Sequence, residues 1–279
     1  MYNLVIVVLN YLNYKDTIEC VDSILKMQYP IRGVVVVDNG SHNESVSVLK
    51  ETYRKAERVW IRRSRKNRGY ARGNNIGIHF ARKRLKADYV LIANNDTVFI
   101  DKDYVKGMLH AYEPGVGVIG GRILLKDEHE QPSISYYLGF RDSVLRYVNG
   151  LSAKYGSSFD FPEAEGESVR ILHGCALMFT PDFFRFFQGF YKRTFLYGEE
   201  AVLYLMCQCK GLRQVYVPEV KIFHKEDQSS LMSFQNDRTV IKQYAFQSQK
   251  YVLWWVVKYR IQLLLKKEII KQGTMWDNE

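Results

Sequence analysis

Four short runs rich in β-branched residues punctuate the first hundred positions of the chain: Leu4–Leu9, Gly33–Val37, Arg58–Ile61 and Tyr89–Ala93. Runs of this length predict strands, and their lack of polar alternation predicts burial on both faces. Helical spacing fills the gaps between them. Lys15–Met27 carries apolar residues at Ile18, Val21, Ile24 and Leu25, Glu44–Lys55 and Tyr70–Arg84 follow, and a helix at about Lys102–Tyr112 comes after the fourth run. The resulting β-α-β-α-β-α-β-α order predicts a parallel sheet covered by helices on both sides, with right-handed crossovers.

Past Gly121 the alternation weakens. Ile123–Leu125 and Ile134–Phe140 are strand candidates, and Ser152–Ser168 is rich in Gly, Ser and acids and reads as a surface loop. Val169–Leu172 and Ala176–Phe179 read as strands around His173-Gly174-Cys175. Thr180-Pro181-Asp182 supplies an N-cap and a first-turn proline for a helix over Phe183–Gln188. Glu199–Lys210 is a further helix, too apolar for a surface position. Val215–Val217 and Val220–Phe223 lead to His224, and the remainder is helical.

Polar residues gather where the strands end. Tyr89–Ala93 changes abruptly into Asn94, Asn95, Asp96 and Thr97, and Gly33–Val37 into Asp38-Asn39-Gly40-Ser41. Asn and Asp are common turn formers. In an open parallel sheet, however, ligands collect beyond the carboxyl ends of the strands. A single carboxylate flanked by amides there suits a hard divalent cation that shares its shell with phosphate oxygens. Asp38 is placed to accept hydrogen bonds from a base or ribose. Asn67 to Asn75 combines glycines, amides and arginines at a helix start, a setting that favours anions such as a diphosphate. It is not a P-loop, lacking the Gly-Lys-Ser/Thr ending. Gly115-Val-Gly117-Val-Ile-Gly120 matches a dinucleotide fingerprint by letters but leads into a strand, so its context fails.

Composition narrows the partners. The 279 residues carry a net charge of +10, so anionic partners are expected. Between Lys50 and Lys86 there are fourteen Lys/Arg against two Glu, and between Arg238 and Gly273 eight against one. The upstream cluster at Arg62, Arg63, Arg65 and Lys66 reads mostly as a solvated basic face. The four cysteines show neither disulfide spacing nor a CxxC pair, which fits a reducing cytoplasm. The first apolar run reads as a strand and not as a signal peptide, and no stretch reaches the length of a membrane span. Tyr251–Val257 is apolar, with Lys250, Lys258, Arg260, Lys266, Lys267 and Lys271 around and after it. Such a segment suits either an interfacial helix on anionic lipid or a helix packed on protein.

In this order, Val-Leu-Asn10-Tyr-Leu, Val-Asp38-Asn-Gly-Ser, Asn67-Arg-Gly69-Tyr70-Ala-Arg-Gly-Asn74-Asn, Asn94-Asn95-Asp96, Gly174-Cys-Ala, Tyr197-Gly-Glu199-Glu200 and His224 resemble a family 2 glycosyltransferase of the bacterial rhamnosyltransferase-like branch. The resemblance implies an α/β GT-A fold: a Rossmann-like, mostly parallel sheet flanked by helices, with a helical C-terminal extension. Residues 1–121 would form the donor-binding half, 122–225 the acceptor and catalytic half, and 226–279 a basic, aromatic helical segment. It implies inverting transfer of a sugar from a nucleoside diphosphate to a glycan or lipid-linked acceptor in polysaccharide synthesis, in the cytoplasm or peripherally on the inner membrane face. The branch suggests rhamnose from dTDP, and galactose, glucose or an N-acetylhexosamine from UDP would fit the same motifs.

By the same resemblance the donor site comprises Asn10, Asp38, Asn67, Gly69, Tyr70, Asn74, Asn94, Asn95 and Asp96. Asp96 and His224 would hold Mg²⁺ or Mn²⁺, and Glu200 would be the general base with Glu199 as the alternative. Two departures stand out. Asn94 occupies the first position of the family's DxD element, and Val202 stands where a further Asp is common. The competing readings are a nucleotidyltransferase, a catalytically silent nucleotide binder, and a nucleic-acid-binding protein, for which no known module is present.

Overall fold

The computed structural model describes residues 2–125, 127–131, 134–137, 144, 147–148, 168–225 and 238–276. The strands are β1 (Leu4–Asn10), β2 (Gly33–Asp38), β3 (Val59–Arg63), β4 (Tyr89–Asn94), β5 (Thr97–Val98), β6 (Val116–Leu124), β7 (Ile134–Tyr137), β8 (Ser168–Ile171), β9 (Ala176–Phe179) and β10 (Arg213–His224). The helices, in chain order, are α1 (Tyr14–Leu25), α2 (Ser45–Thr52), α3 (Gly69–Arg84), α4 (Tyr104–His110), α5 (Pro181–Phe184), α6 (Glu199–Cys209) and α7 (Arg238–Trp276).

Eight strands form one sheet in the order β3-β2-β1-β4-β9-β6-β10-β5, while β7 and β8 pair separately. β3, β2, β1 and β4 run parallel, as do β6 and β10; β9 enters antiparallel between β4 and β6, and β5 pairs antiparallel with the end of β10. The sheet is therefore mostly parallel. β9 also joins the first half of the chain to the second within a single sheet.

The period of two along β1 sorts its side chains. Val5 and Val7 point into a core shared with α3, α5, α6 and α7, and Leu4, Ile6 and Val8 into a core shared with α1, α2 and α4. This explains why the strands read as unbroken apolar runs. Gly77 lets α3 approach the sheet closely, because a Cβ there would meet the Val7 side chain.

Three boundaries differ from the sequence expectation. β6 begins at Val116, seven residues before Ile123, because its glycines lie beneath covering side chains: Gly117 under Leu212, Gly120 under Leu172 and Gly121 under Tyr104. The two runs at 215–217 and 220–223 are one strand, β10, with the irregularity between Val217 and Lys221 absorbing Pro218. α5 spans only Pro181–Phe184, capped by the Thr180 hydroxyl accepting from the Phe183 N–H. Positions 138–140 of the strand expected at Ile134–Phe140 and 152–167 of the expected loop lie outside the described residues.

α7 spans 39 residues, about 58 Å at 1.5 Å per residue. It packs on α6 through a face that includes Val252, Trp255 and Val256, all buried. Among the described residues no helix is long and apolar enough to cross a membrane.

Candidate active site

The carboxyl edges of β1, β2 and β4 meet at one place because the strands are in register, with Asn10 beside Asp38 and Leu9 beside Asn94. Asp38 is fully buried. Its Oδ2 accepts from Asn10 Nδ2 at 2.8 Å, and its Oδ1 accepts from the N–H groups of Gly40 at 3.2 Å and Ser41 at 3.0 Å. Asn10 in turn accepts from the Thr17 hydroxyl at 2.8 Å. Both carboxylate oxygens are thus engaged by the protein, and a contact from Asp38 to a nucleoside would use a second lone pair on one of them.

The start of α3 is fastened to this edge. Asn39 Nδ2 donates to Asn67 Oδ1 at 3.0 Å and to the Gly69 carbonyl at 3.2 Å, while Asn67 Oδ1 also accepts from the Gly69 N–H at 2.8 Å. Gly69 adopts φ +75°, and a Cβ there would run into the Phe195 carbonyl, so the turn requires glycine. Asn74 is buried, with Nδ2 on the Tyr70 carbonyl and Oδ1 lacking a partner among the described residues. Asn75, not among the expected site residues, holds Phe190 by bonds of 2.8 and 2.9 Å to its N–H and carbonyl.

After β4 the three polar residues take different roles. Asn94 is half-buried. Asn95 turns inward, and its Nδ2 donates to the Asn13 carbonyl and the Thr17 hydroxyl. Asp96 is 4% exposed, and its Oδ1 stands 3.4 Å from His224 Nε2. Neither atom has a hydrogen-bond partner among the described residues. His224 Nδ1 lies 3.0 Å from Gln131 Oε1; in the tautomer that donates from Nδ1 to this oxygen, Nε2 presents its lone pair to the Asp96 carboxylate. In that tautomer the two buried acceptors face each other, an arrangement that a metal cation or a second ring proton between them would satisfy.

Asp96 and His224 are two ligands, and no group of three or more His, Cys, Asp or Glu that could hold a metal occurs among the described residues. Two protein ligands suit a cation that completes its shell with phosphate oxygens and water.

The loop before β9 ties this pair to α6. His173 faces His224 with ring centroids 5.8 Å apart. Burial first, and then the neighbouring His224, pushes its pKa down to about 4. It is a neutral ring whose Nδ1 accepts from the Cys175 N–H at 3.3 Å. Gly174 packs directly on the Glu200 carboxylate, where a Cβ would fall 2.6 Å from Oε1, and its N–H bonds to that group. The Tyr70 hydroxyl donates to the Gly174 carbonyl at 2.5 Å, and its ring packs edge-on against Phe190. Tyr70 thereby braces the loop. Cys175 is buried with its thiol raised by desolvation and then by Asp96 and Glu200, so both acids lie within electrostatic range of this one loop.

α6 opens after two left-handed residues, Tyr197 at φ +65° and Gly198 at φ +81°. Adjacent helical positions diverge by about 100°, and the two acids separate accordingly. Glu200 is half-buried beside Gly174, with its carboxyl raised by burial against the opposing pull of its own N–H and that of Gly174. Glu199 points inward and is buried. Desolvation, then the Glu200 charge, pushes it up to about 8, and its Oε1 has no partner among the described residues. Val202 is fully buried in the core. An acid at that position would have to be desolvated.

Residues 4–180, from β1 through β9, match the model for glycosyl transferase family 2. The chain belongs to that family. None of the curated proteins compared with this glycosyltransferase matches it. Solved structures share its fold at low identity. The mannosyltransferase PcManGT from Pyrobaculum calidifontis, in complex with GDP-Man and Mn²⁺, matches with a TM-score of 0.57 at 16% identity, over 99% of this chain and 81% of its own. GalNAc-T7 with UDP, GalNAc and Mn²⁺ gives 0.60 at 11% identity, over 82% of this chain and 45% of its own. S. aureus TarS 1–349 in complex with UDP gives 0.51 at 14%, over 80% and 60%.

The family match ends before Glu199, Glu200 and His224, so their placement rests on geometry. That geometry also brings in residues of the glycosyltransferase that the motifs do not single out. Gln131 meets the His224 ring at Nδ1, and His173 faces His224 from the loop whose Gly174, already part of a motif, packs on Glu200. Lys225 fastens the end of β10 to α1 through Asp16 at 2.7 Å and Glu19 at 2.5 Å.

Proposed function

We propose that this family 2 glycosyltransferase is an inverting, divalent-cation-dependent enzyme that moves a sugar from a nucleoside diphosphate to a hydroxyl of a glycan or lipid-linked acceptor. The observation that carries the reading is the buried pair Asp96 Oδ1 and His224 Nε2, 3.4 Å apart at the carboxyl edge of the sheet, neither with a hydrogen-bond partner among the described residues. These two atoms would hold Mg²⁺ or Mn²⁺, which when bound supplies the positive charge that stabilises a departing diphosphate.

The chain's own residues do the rest. Asn67 and Gly69 shape the turn into α3, whose N-terminus favours the diphosphate, and Asp38, Asn10 and Asn74 line the nucleoside side. Asn94, Asn95 and Asp96 border the diphosphate. Glu200, on the surface side of α6, takes the proton from the acceptor hydroxyl as it attacks the anomeric carbon. The Gly174 N–H holds the Glu200 carboxylate, and Tyr70 holds Gly174. The donor half would be residues 1–121 and the acceptor half 122–225. Rhamnose is the sugar favoured by the branch the motifs resemble, and the setting is cell-surface polysaccharide synthesis at the inner face of the membrane.

Calorimetric titration with dTDP, UDP and GDP, each with and without Mn²⁺, tests this. One nucleotide should bind in a Mn²⁺-dependent manner, and Asp96→Ala should abolish the dependence. Folded protein that binds none of the three would overturn the reading.

A further inference from the structure

The two faces of α7 differ in a way that packing does not explain. Toward the domain, Val252, Trp255 and Val256 are buried, and Gln262 Nε2 donates to the Cys209 carbonyl at the end of α6 at 2.9 Å. On the other side, Trp254, Ile261 and Leu265 are 50, 52 and 55% exposed. At about 100° per residue, positions 254, 258, 261 and 265 fall within roughly 60° of one another, so these three apolar side chains and Lys258 form one outward stripe. Trp254 is held by Tyr191, stacked at 6.2 Å with 11° between the rings, and by the Lys258 ammonium 5.2 Å from its centroid.

Phe186, 49% exposed, belongs to the same surface. The Lys210 ammonium stands 5.4 Å over its ring, and Lys210 and Lys258 both act on the Cys209 thiol. Lys250 lies one turn before Trp254 on the stripe. The sequence holds no Asp or Glu between Arg238 and Leu265.

We propose that this stripe docks the protein on a phospholipid bilayer carrying anionic headgroups. Exposed Trp and aliphatic side chains interleaved with lysines that pair with no acid among the described residues match a membrane interface, where the apolar groups enter the acyl boundary and the ammonium groups stay at headgroup level. The helix is too polar to cross. A second copy of the chain is a poorer occupant, since it would bring Lys250 and Lys258 against their own counterparts with no acid between them. The inference deepens the membrane-associated acceptor in the reading above, and it makes no use of the donor site.

Flotation of the full chain with vesicles tests it, comparing phosphatidylcholine alone with phosphatidylcholine mixed with phosphatidylglycerol. The protein should float with the mixed vesicles and bind phosphatidylcholine at least about tenfold more weakly. Ile261→Asp with Leu265→Asp should reduce binding by about tenfold or more, and Lys250→Gln or Lys258→Gln by about fivefold each. The helical content of these variants and their Mn²⁺-dependent nucleotide binding should be unchanged. Equal partitioning onto both vesicle types, or none, would overturn the proposal. So would a concentration-dependent dimer that the double variant dissolves without any vesicle binding, which would assign the stripe to self-association. If vesicle binding fails while nucleotide titration succeeds, the transferase reading stands and the docking surface falls.

Discussion

Asp38 and Asp96 occupy similar places: Asp38 ends the buried strand β2 and Asp96 lies two residues past β4 of the same sheet, each beside amides and almost completely shielded from solvent. Their surroundings are opposite. Asp38 accepts from one side-chain amide and two backbone N–H groups, all within 3.2 Å. Asp96 directs Oδ1 at a histidine nitrogen that is itself an acceptor when Gln131 takes the other ring proton. A buried carboxylate supplied with donors is satisfied scaffold. One that faces a histidine nitrogen, with no hydrogen-bond partner for either atom among the described residues, is the candidate place for a cation. Residue type and strand position alone do not separate the two cases; the partners do.

The largest effect that could break this contrast is at Asp96. Replacing it with Asn removes the charge that faces His224 and should lower kcat/KM by about 10³-fold or more. The fold should be left intact, because no intramolecular hydrogen bond to Oδ1 is lost. Metal-independent nucleotide binding and transfer that survive the change would return Asp96 to the scaffold class. Asp38 should behave in the reverse way. Asp38→Ala leaves Asn10 Nδ2 and two backbone N–H groups without their acceptor, and should cost about 3 kcal/mol of stability, read from the urea midpoint. Unchanged stability with nucleotide binding abolished would leave Asp38 a ligand role alone, with no structural one, and dissolve the contrast.

This explains how far the sequence could be read. β1, β2 and β4 are legible because burial on both faces leaves no polar interruption, and the abrupt change to Asp38 or Asn94-Asn95-Asp96 marks their carboxyl ends. The start of β6 is not legible. Val116–Gly121 carries the glycines of a loop, and its strand character depends on Leu212, Leu172 and Tyr104 covering those glycines from elsewhere in the chain. β10 is hidden as one strand because Pro218 interrupts it and the bulge that accommodates the proline has no local signature. In the candidate site, Asp96 and His224 stand out in the sequence because each follows an apolar strand run and matches a motif of the family. Gln131 could not, since it meets His224 from 93 residues away with no apolar periodicity around it. His173 stands in plain view between two strands, but its meaning depends on a ring contact that only the fold creates.

The same contrast recurs on α6, and there it can be sharpened with smaller effects. Glu200 sits at the surface side, bonded by the Gly174 N–H, and its raised carboxyl suits a proton acceptor. Glu200→Gln should lower kcat by about 10²-fold or more while Mn²⁺-dependent nucleotide binding persists. In the parent enzyme the acidic limb of the pH–rate profile should lie above the ordinary carboxylate range, following the upward shift. Binding lost together with rate would place Glu200 in the donor pocket instead.

Glu199 gives the smallest effect and the most specific one. Its carboxyl is pushed from 4.5 up to about 8 by burial, so the folded state holds a proton that the unfolded chain releases near pH 4.5. Its contribution to stability is therefore complete below pH 4.5, declines as pH rises, and is gone above pH 8. Glutamine keeps the shape without the charge and removes this decline. Glu199→Gln should match the parent near pH 4.5 and exceed it by a margin that grows as pH rises toward 8, read as a rising thermal midpoint, with transfer activity little changed. If the variant instead loses stability at pH 8 together with activity, Glu199 is ionised there and the two acids of α6 share the chemistry that geometry assigns to Glu200.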